Sequence, residues 1–328
     1  MIKKKQKYTV SAPGSLMLFG EHAVLHGKPA LVSAIDKRIT VELLTRDDDE
    51  INLHSTLSGT QSLQLQDIAP DLWRSLPKWH FVLASITFYQ KHLPSGFDLK
   101  VTADYDAPIG LGSSAAVTVA TLAALTLWLD KKGLMQQSLL RHTVQVIREV
   151  QGIASGADAA ASVYGGVIAY HMPTLKVTKL ANTYPLTVIY SGQKIATQSV
   201  LEHVSTLQQR HDQVFAHLYA AIAACTHEAK QAWQISDWQA VGELMNIHQG
   251  LHDALGVNTQ KLVDLIFALR SDPKIFGAKI SGAGMGDCVI GLGKADIKEL
   301  IETISAKNSQ AQLIPVQISS QGVAVIEN

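Results

Sequence analysis

Two cysteines, Cys225 and Cys288, are all the chain contains, and they stand far apart with no CxxC spacing. A disulfide framework and a cysteine zinc site are therefore excluded, and a reducing cytoplasm is the expected home. A charge surplus is missing too: 28 Lys and Arg balance 28 Asp and Glu, for a net charge of zero at pH 7. Nucleic acid or an anionic membrane as main partner would favour an excess of basic residues, so neither is expected. The longest apolar run, 115–129, is too short to span a bilayer and contains three threonines. The N-terminal lysines of MIKKKQKYTV are not followed by the apolar core of a secretory signal. No internal repeat or low-complexity linker interrupts the chain.

What is present is a large apolar complement, 47% hydrophobic against 17% charged residues over 328 positions. Such a chain is long for one core and suits two domains, expected at 1–172 and 173–328. Three glycine-bearing stretches stand out. The middle one, PIGLGSSAA at 108–116, follows an alternating strand-like run at 97–103 and leads into the apolar helical pattern of 115–129. Gly110 and Gly112 let the backbone bend close to a ligand, and Ser113 and Ser114 fall where a helix leaves its first N–H groups unpaired. Free donors and the positive end of the helix dipole make such a turn a socket for phosphate, and a hydroxyl there can ligate magnesium. An ordinary serine N-cap is the plainer reading of the same letters. The Lys-Ser or Lys-Thr ending of the Walker loop is absent, which excludes that family.

Before this loop, a short strand at 8–12 ends at Pro13-Gly14, and Glu21 and His22 sit between apolar residues in FGEHAV. Burying such a pair is costly unless it binds something, which favours a substrate pocket. A long strand is expected over 31–45, and an amphipathic helix over 79–90 whose aromatics pack the core. The polar 51–71 segment carries no nameable chemistry. A helix over 135–150 runs into GIASGADAAASVYGG at 152–166, where Asp158 stands among alanines. A carboxylate so placed is a helix-start residue or a base facing a hydroxyl and a cation. Strands at 167–171 and 185–191 precede helices at about 197–225, 226–235, 237–254 and 259–270. KISGAGMGDCVIGLG, 279–293, places Gly282, Gly284 and Gly286 between two apolar strands, a pattern equally suited to a plain hairpin. A helix at 297–305 and strands at 313–318 and 322–326 end the chain.

SAPGSLMLFGEHAVLHG, PIGLGSSAA and KISGAGMGDC, in this order, resemble the three motifs of the GHMP small-molecule kinases, and MNIHQGLHDALGV at 245–257 resembles a further helix of that family. The resemblance spans nearly the whole chain and implies a two-domain α+β fold, with a mixed sheet and helices in the N-terminal part, a helix-rich α/β C-terminal part, and the active site in the cleft between them. It implies use of ATP with Mg2+ on the primary hydroxyl of mevalonate, with phosphomevalonate or another small alcohol as the alternative and a non-catalytic metabolite or nucleotide sensor as a third reading. Carried over by motif, Pro108, Gly110, Leu111, Gly112, Ser113, Ser114 and Ala115 hold the nucleotide; Ser114, or Ser113 beside it, ligates the metal, with Glu149, two positions from where the family's glutamate aligns, as the candidate second ligand. Glu21, His22, Ser155, Gly156, Ser281, Gly282 and Ala283 contact substrate, and Asp158 accepts the hydroxyl proton. One departure stands out: the family commonly has lysine where this chain has Ser15, and serine supplies no positive charge. Lys194 or Lys28 reaching in from elsewhere, Asp158 acting with magnesium alone, or a different acceptor would account for it, with Lys194 assigned a catalytic place. The oligomeric state is left open, a homodimer included.

Overall fold

The strand β1 (Lys7–Phe19) is the member against which both halves of the molecule are assembled, and past its first two residues every position is buried. The computed structural model describes residues 5–105, 110–130, 133–296 and 310–326. β1 pairs antiparallel with β2 (Pro29–Thr45), and it continues well beyond the expected end at Pro13-Gly14. A register shift between Pro13 and Gly14 absorbs the proline, since a residue without an N–H is tolerated at a bulge.

The remaining strands are β3 (Glu50–Ser55), β4 (Gly59–Gln64), β5 (Phe97–Ala103), β6 (Val167–His171), β7 (Lys176–Leu180), β8 (Leu186–Tyr190), β9 (Ile275–Ser281), β10 (Cys288–Gly293), β11 (Gln312–Ile314) and β12 (Ala324–Ile326). Among the described residues the first sheet runs β12-β1-β2-β5-β3-β4, with β6 on another stretch of β2 and β7 on β6. It is mixed, because β3 and β5 are parallel while its other pairs are antiparallel. The second sheet runs β11-β8-β10-β9, antiparallel throughout. The expected boundary at 172 falls inside the β6–β7 hairpin, and β12 returns to β1. We therefore propose to divide the chain after Leu180 and to count the last strand with the first unit.

Helices α1 (Leu72–Ser75), α2 (His80–Phe88), α3 (Ser113–Leu129), α4 (Gln136–Gln151) and α5 (Ala157–Tyr164) belong to the first part, with α3 and α5 laid directly on β1. Trp79 and Phe81, at and beside the start of α2, are core residues as their pattern implies. In the second part, α6 (Thr197–Arg210) packs on α7 (Asp212–Gln234), while α7, α8 (Trp238–Ala254) and α9 (Gln260–Arg270) cover the small sheet and the outer face of β2. The single helix expected over 197–225 is broken at His211, whose φ of −136° is not helical, and α7 absorbs the next expected segment. No glycine or proline marks that break, so periodicity alone passes through it. β7 is mostly exposed and polar, which hid it as a strand. The helix expected at 297–305 lies outside the described residues.

Two cores meet across β1. Val10, Ala12 and Met17 face α2 to α5, whereas Leu16, Leu18 and Phe19 join Trp233, Val241 and Met245 of α7 and α8. A strand buried on both faces ties the two parts into one frame and fixes the cleft between them.

Candidate active site

Segments far apart in the chain converge on one open cleft. One wall is the start of α3. Its N-cap Gly112 has φ 67°, and the first helical N–H to bond within the chain is that of Ala116, to the Gly112 carbonyl at 3.0 Å. The donors ahead of it, on Ser113, Ser114 and Ala115, have no partner inside the helix. Those three residues and Gly110 and Gly112 line the cleft. Glycine is required at 112, since a Cβ there would lie 2.0 Å from the Ser15 hydroxyl in a left-handed backbone. Leu111 turns the other way: it is buried in the core beneath β1, and only its carbonyl takes part, accepting the Ser15 N–H at 3.0 Å. Pro108 lies outside the described residues.

The opposite wall is the start of α5, where Ser155, Gly156 and Asp158 line the cleft. Two hydroxyls set α5 on β1: Ser162 donates to the Pro13 carbonyl at 2.5 Å, and one turn earlier Ser15 donates to Asp158 Oδ1 at 2.7 Å. Burial pushes the Asp158 carboxyl up, while the Ser15 hydrogen bond and the Lys194 charge pull it down. Lys194 also lines the cleft, half exposed, with its Nζ 3.3 Å from Asp287 Oδ1. Lys28 is not in the wall among the described residues. Glu149 is likewise displaced from its expected place: it is exposed, and the α4 residues in the wall are Ile147 and Gln151. Residues two apart on a helix point to nearly opposite faces, so Glu149 and Ile147 cannot both look inward.

The floor is made by the turn after β1 and the loop after β9. Ser281, Gly282 and Ala283 line the cleft, and Ser281 donates its hydroxyl to the Met17 carbonyl at 3.0 Å. His22 has a strained φ of 60° and stands 2.8 Å, through Nε2, from the Ala283 carbonyl. A carbonyl only accepts, so Nε2 carries the proton. Burial drives the ring down to about 4, which leaves it neutral with Nδ1 as a bare acceptor that has no partner.

Glu21 lies deeper. Lys279 on β9 donates to Glu21 Oε1 and to the Ile280 carbonyl, while Glu21 Oε2 faces His248 and His252 of α8 at 3.6 and 4.0 Å. The expectation that burying Glu21 requires a ligand is thus met in part by an internal ammonium. The three acceptor atoms of Glu21, His248 and His252 lie within 4.8 Å of one another. They do not make a free ligand set for a cation, because Lys279 already supplies the positive charge and His248 Nε2 accepts the Gly20 N–H at 3.1 Å. Neither Lys279 nor the two histidines was singled out in the sequence; the signal was their i, i+4 spacing on α8.

Burial holds His248 and His252 well below the usual imidazole range, with His22 near 4. Their folded forms take up protons less readily than the unfolded chain, so their contribution to stability is complete above about pH 6.5 and is lost as pH falls toward 4. Urea unfolding from pH 7 to 4.5 is expected to steepen by up to ~1.4 kcal/mol per pH unit for each histidine. A stability flat across that range would mean the rings are not buried neutral.

The chain resembles known proteins in sequence and fold. The family described as GHMP kinases N terminal domain matches residues 80–166, and the family described as GHMP kinases C terminal matches 219–310. A mevalonate kinase of Pyrococcus horikoshii is 30% identical, with 98% of each chain covered. One from Archaeoglobus fulgidus is 32% identical over 87% of this chain and 92% of its own. The crystal structure of Methanococcus jannaschii mevalonate kinase superposes with a TM-score of 0.78 at 23% identity, covering 97% of this chain and 99% of that one, which shows the shared fold.

Proposed function

Because the chain belongs to the GHMP kinase family and is a phosphotransferase with an alcohol acceptor, we propose that it transfers the γ-phosphoryl group of ATP to the primary hydroxyl of mevalonate, giving 5-phosphomevalonate. The observation that carries this reading is the facing pair in one cleft: the unpaired N–H groups that open α3, and the Asp158 carboxylate that opens α5. Full-length relatives that bear the name mevalonate kinase support the choice of acceptor. Among the described lining residues Lys194 is the one Lys or Arg, and Asp287 already pairs with it. An acceptor with its own phosphate would bring charge that no described lining group matches, which favours mevalonate over phosphomevalonate.

In this reading the first turn of α3 cradles the triphosphate with backbone donors and dipole. The acceptor oxygen attacks the γ-phosphorus, the bond to the bridging oxygen breaks, ADP leaves, and the hydroxyl proton passes to Asp158. Ser15 occupies Oδ1 of that carboxylate and so directs the remaining lone pairs to the acceptor. Lys194 provides the cation that Ser15 does not, and the bare Nδ1 of His22 is an acceptor for a substrate hydroxyl. Phosphoryl transfer needs chiefly such positioning and neutralisation. The cleft also suits a nucleotide-bound Mg2+. A hydroxyl at the helix start (Ser114, with Ser113 beside it) and the Asp287 carboxylate, packed against Gly110 and paired only with Lys194 among the described residues, are oxygen donors of the kind this ion takes. When bound, the ion neutralises phosphate charge.

The decisive experiment is a panel of mevalonate, phosphomevalonate and other small alcohols with ATP and Mg2+, reading ADP release and phosphorus NMR of the product. Turnover of mevalonate with the new ester on its primary carbon is expected; an ester on another hydroxyl, or turnover of phosphomevalonate alone, would overturn the assignment. The pH profile adds a second check. kcat/KM is expected to fall on the acid side as Asp158 protonates, with a midpoint above 3.8 because burial raises that carboxyl. Other titratable groups face the cleft, namely Glu21, His22, Lys194 and Asp287, so the limb is identified by substitution. Ser15→Ala and Lys194→Met each remove an influence that holds Asp158 down, and both should move the limb to higher pH. An unmoved limb in both variants would assign it to another group.

A further inference from the structure

Among the described residues three carboxylates line the cleft, those of Glu21, Asp158 and Asp287. Glu21 is tied to Lys279, and Asp158 to Ser15. Asp287 is held less firmly: among the described residues its Oδ1 has only the half-exposed ammonium of Lys194, at 3.3 Å, as a partner. Its backbone is clamped, the N–H donating to the Gln193 carbonyl and the carbonyl accepting the Ser191 N–H, both at 2.8 Å. The clamp holds φ at 59°, a left-handed conformation that aspartate tolerates better than most residues. The side chain is thereby pressed onto the phosphate loop. A Cβ added at Gly110 would lie 2.7 Å from Asp287 Cβ and 2.9 Å from its Cγ, so glycine at 110 makes room for this carboxylate.

A fixed negative charge on the lip of a phosphate socket repels the triphosphate unless a cation stands between them. Lys194 brings one positive charge and is half exposed, which does not offset a carboxylate and a triphosphate together. Magnesium bound with a nucleotide usually takes one or two carboxylates, with phosphate and water oxygens completing its shell. Glu149, carried over by motif for that purpose, is exposed and absent from the wall. We propose that Asp287 is the carboxylate through which this chain holds the divalent cation of its nucleotide, in the place assigned by motif to Glu149. The inference rests on the kinase reading and names a residue for it. It also gives Lys194 two settings: paired with Asp287 when the nucleotide is away, and released toward the transferring phosphoryl group when the cation takes over the carboxylate.

The test uses Mn2+ as the spin probe, titrated into the full chain with a non-hydrolysable ATP analogue and followed by electron paramagnetic resonance. Asp287→Asn keeps the shape and the left-handed backbone. It should weaken Mn2+ binding in the ternary complex by at least about tenfold, while binding of the metal-free analogue stays the same or tightens. Glu149→Gln and Lys194→Met should leave Mn2+ affinity unchanged or, for the lysine, raise it. Unchanged Mn2+ affinity in Asp287→Asn, a loss in Glu149→Gln, or an equal loss in Lys194→Met would overturn the proposal, the last by showing that Asp287 only tethers the lysine. If Asp287→Asn does not fold, Asp287→Gly, free of strain at this φ, must show the same loss. Failure of the two readings can be told apart. A chain that phosphorylates mevalonate while Asp287→Asn retains Mn2+ sinks only this inference. A chain with Asp287-dependent Mn2+ binding that leaves mevalonate untouched sinks only the choice of acceptor.

Discussion

Asp158→Asn is expected to lower kcat by ~10²–10⁴-fold, the usual contribution of a positioned general base, with binding of ATP and mevalonate close to wild type. The variant is a clean probe because its amide oxygen still accepts the Ser15 hydroxyl, so α5 keeps its seat on β1. What disappears is the ability to take a proton. The other carboxylates of the cleft cannot substitute: Glu21 is engaged by Lys279, and Asp287 lies against the phosphate loop. Single-turnover measurement separates the chemical step from binding. A variant whose turnover stays within about tenfold of wild type would remove Asp158 from the role of base.

Lys279→Met is expected to cost about 3–5 kcal/mol of folding stability, because breaking a buried ion pair leaves its partner charged and alone. Lys279 is fully buried, and among the described residues its ammonium donates to Glu21 and to the Ile280 carbonyl. The carboxylate it leaves behind faces His248 and His252, which burial keeps neutral and unable to compensate. Glu21→Gln should cost a similar amount by stranding the ammonium. The double variant should cost less than the sum of the two single losses, by a coupling of about 1–3 kcal/mol read from a double-mutant cycle in urea, near the upper end for contacting residues. Additive losses would mean the two side chains do not act as a pair.

Some of this was legible in the letters. Strand alternation at 97–103, followed by glycines, serines and an apolar helical run, announced β5 and α3 almost to the residue. Local chemistry decides such features: a glycine turn, an N-terminal hydroxyl and a 3.6-residue period act within a few positions of one another. The helical break at His211 was illegible because nothing in its neighbourhood forbids helix; packing of α6 and α7 against different partners decides it. Glu149 was misplaced for a related reason. An offset of two along a helix reverses the face, and motif letters do not carry that phase.

By itself, then, the chain's sequence determined the family and marked the strand, glycine turn and helix of 97–129, since both follow from local pattern, while β3, β4, β7 and the break at His211 escaped it. Which side chains become chemical partners was decided only in three dimensions. Ser15 meets Asp158 across 143 positions, Lys279 meets Glu21 across 258, and Asp287 reaches Gly110 from the far end of the chain. No local rule encodes those meetings, because each depends on β1 being buried on both faces and drawing two distant sets of elements against it. Hydrogen bonds and ion pairs act over a few ångströms, and only the packed core brings such groups that close.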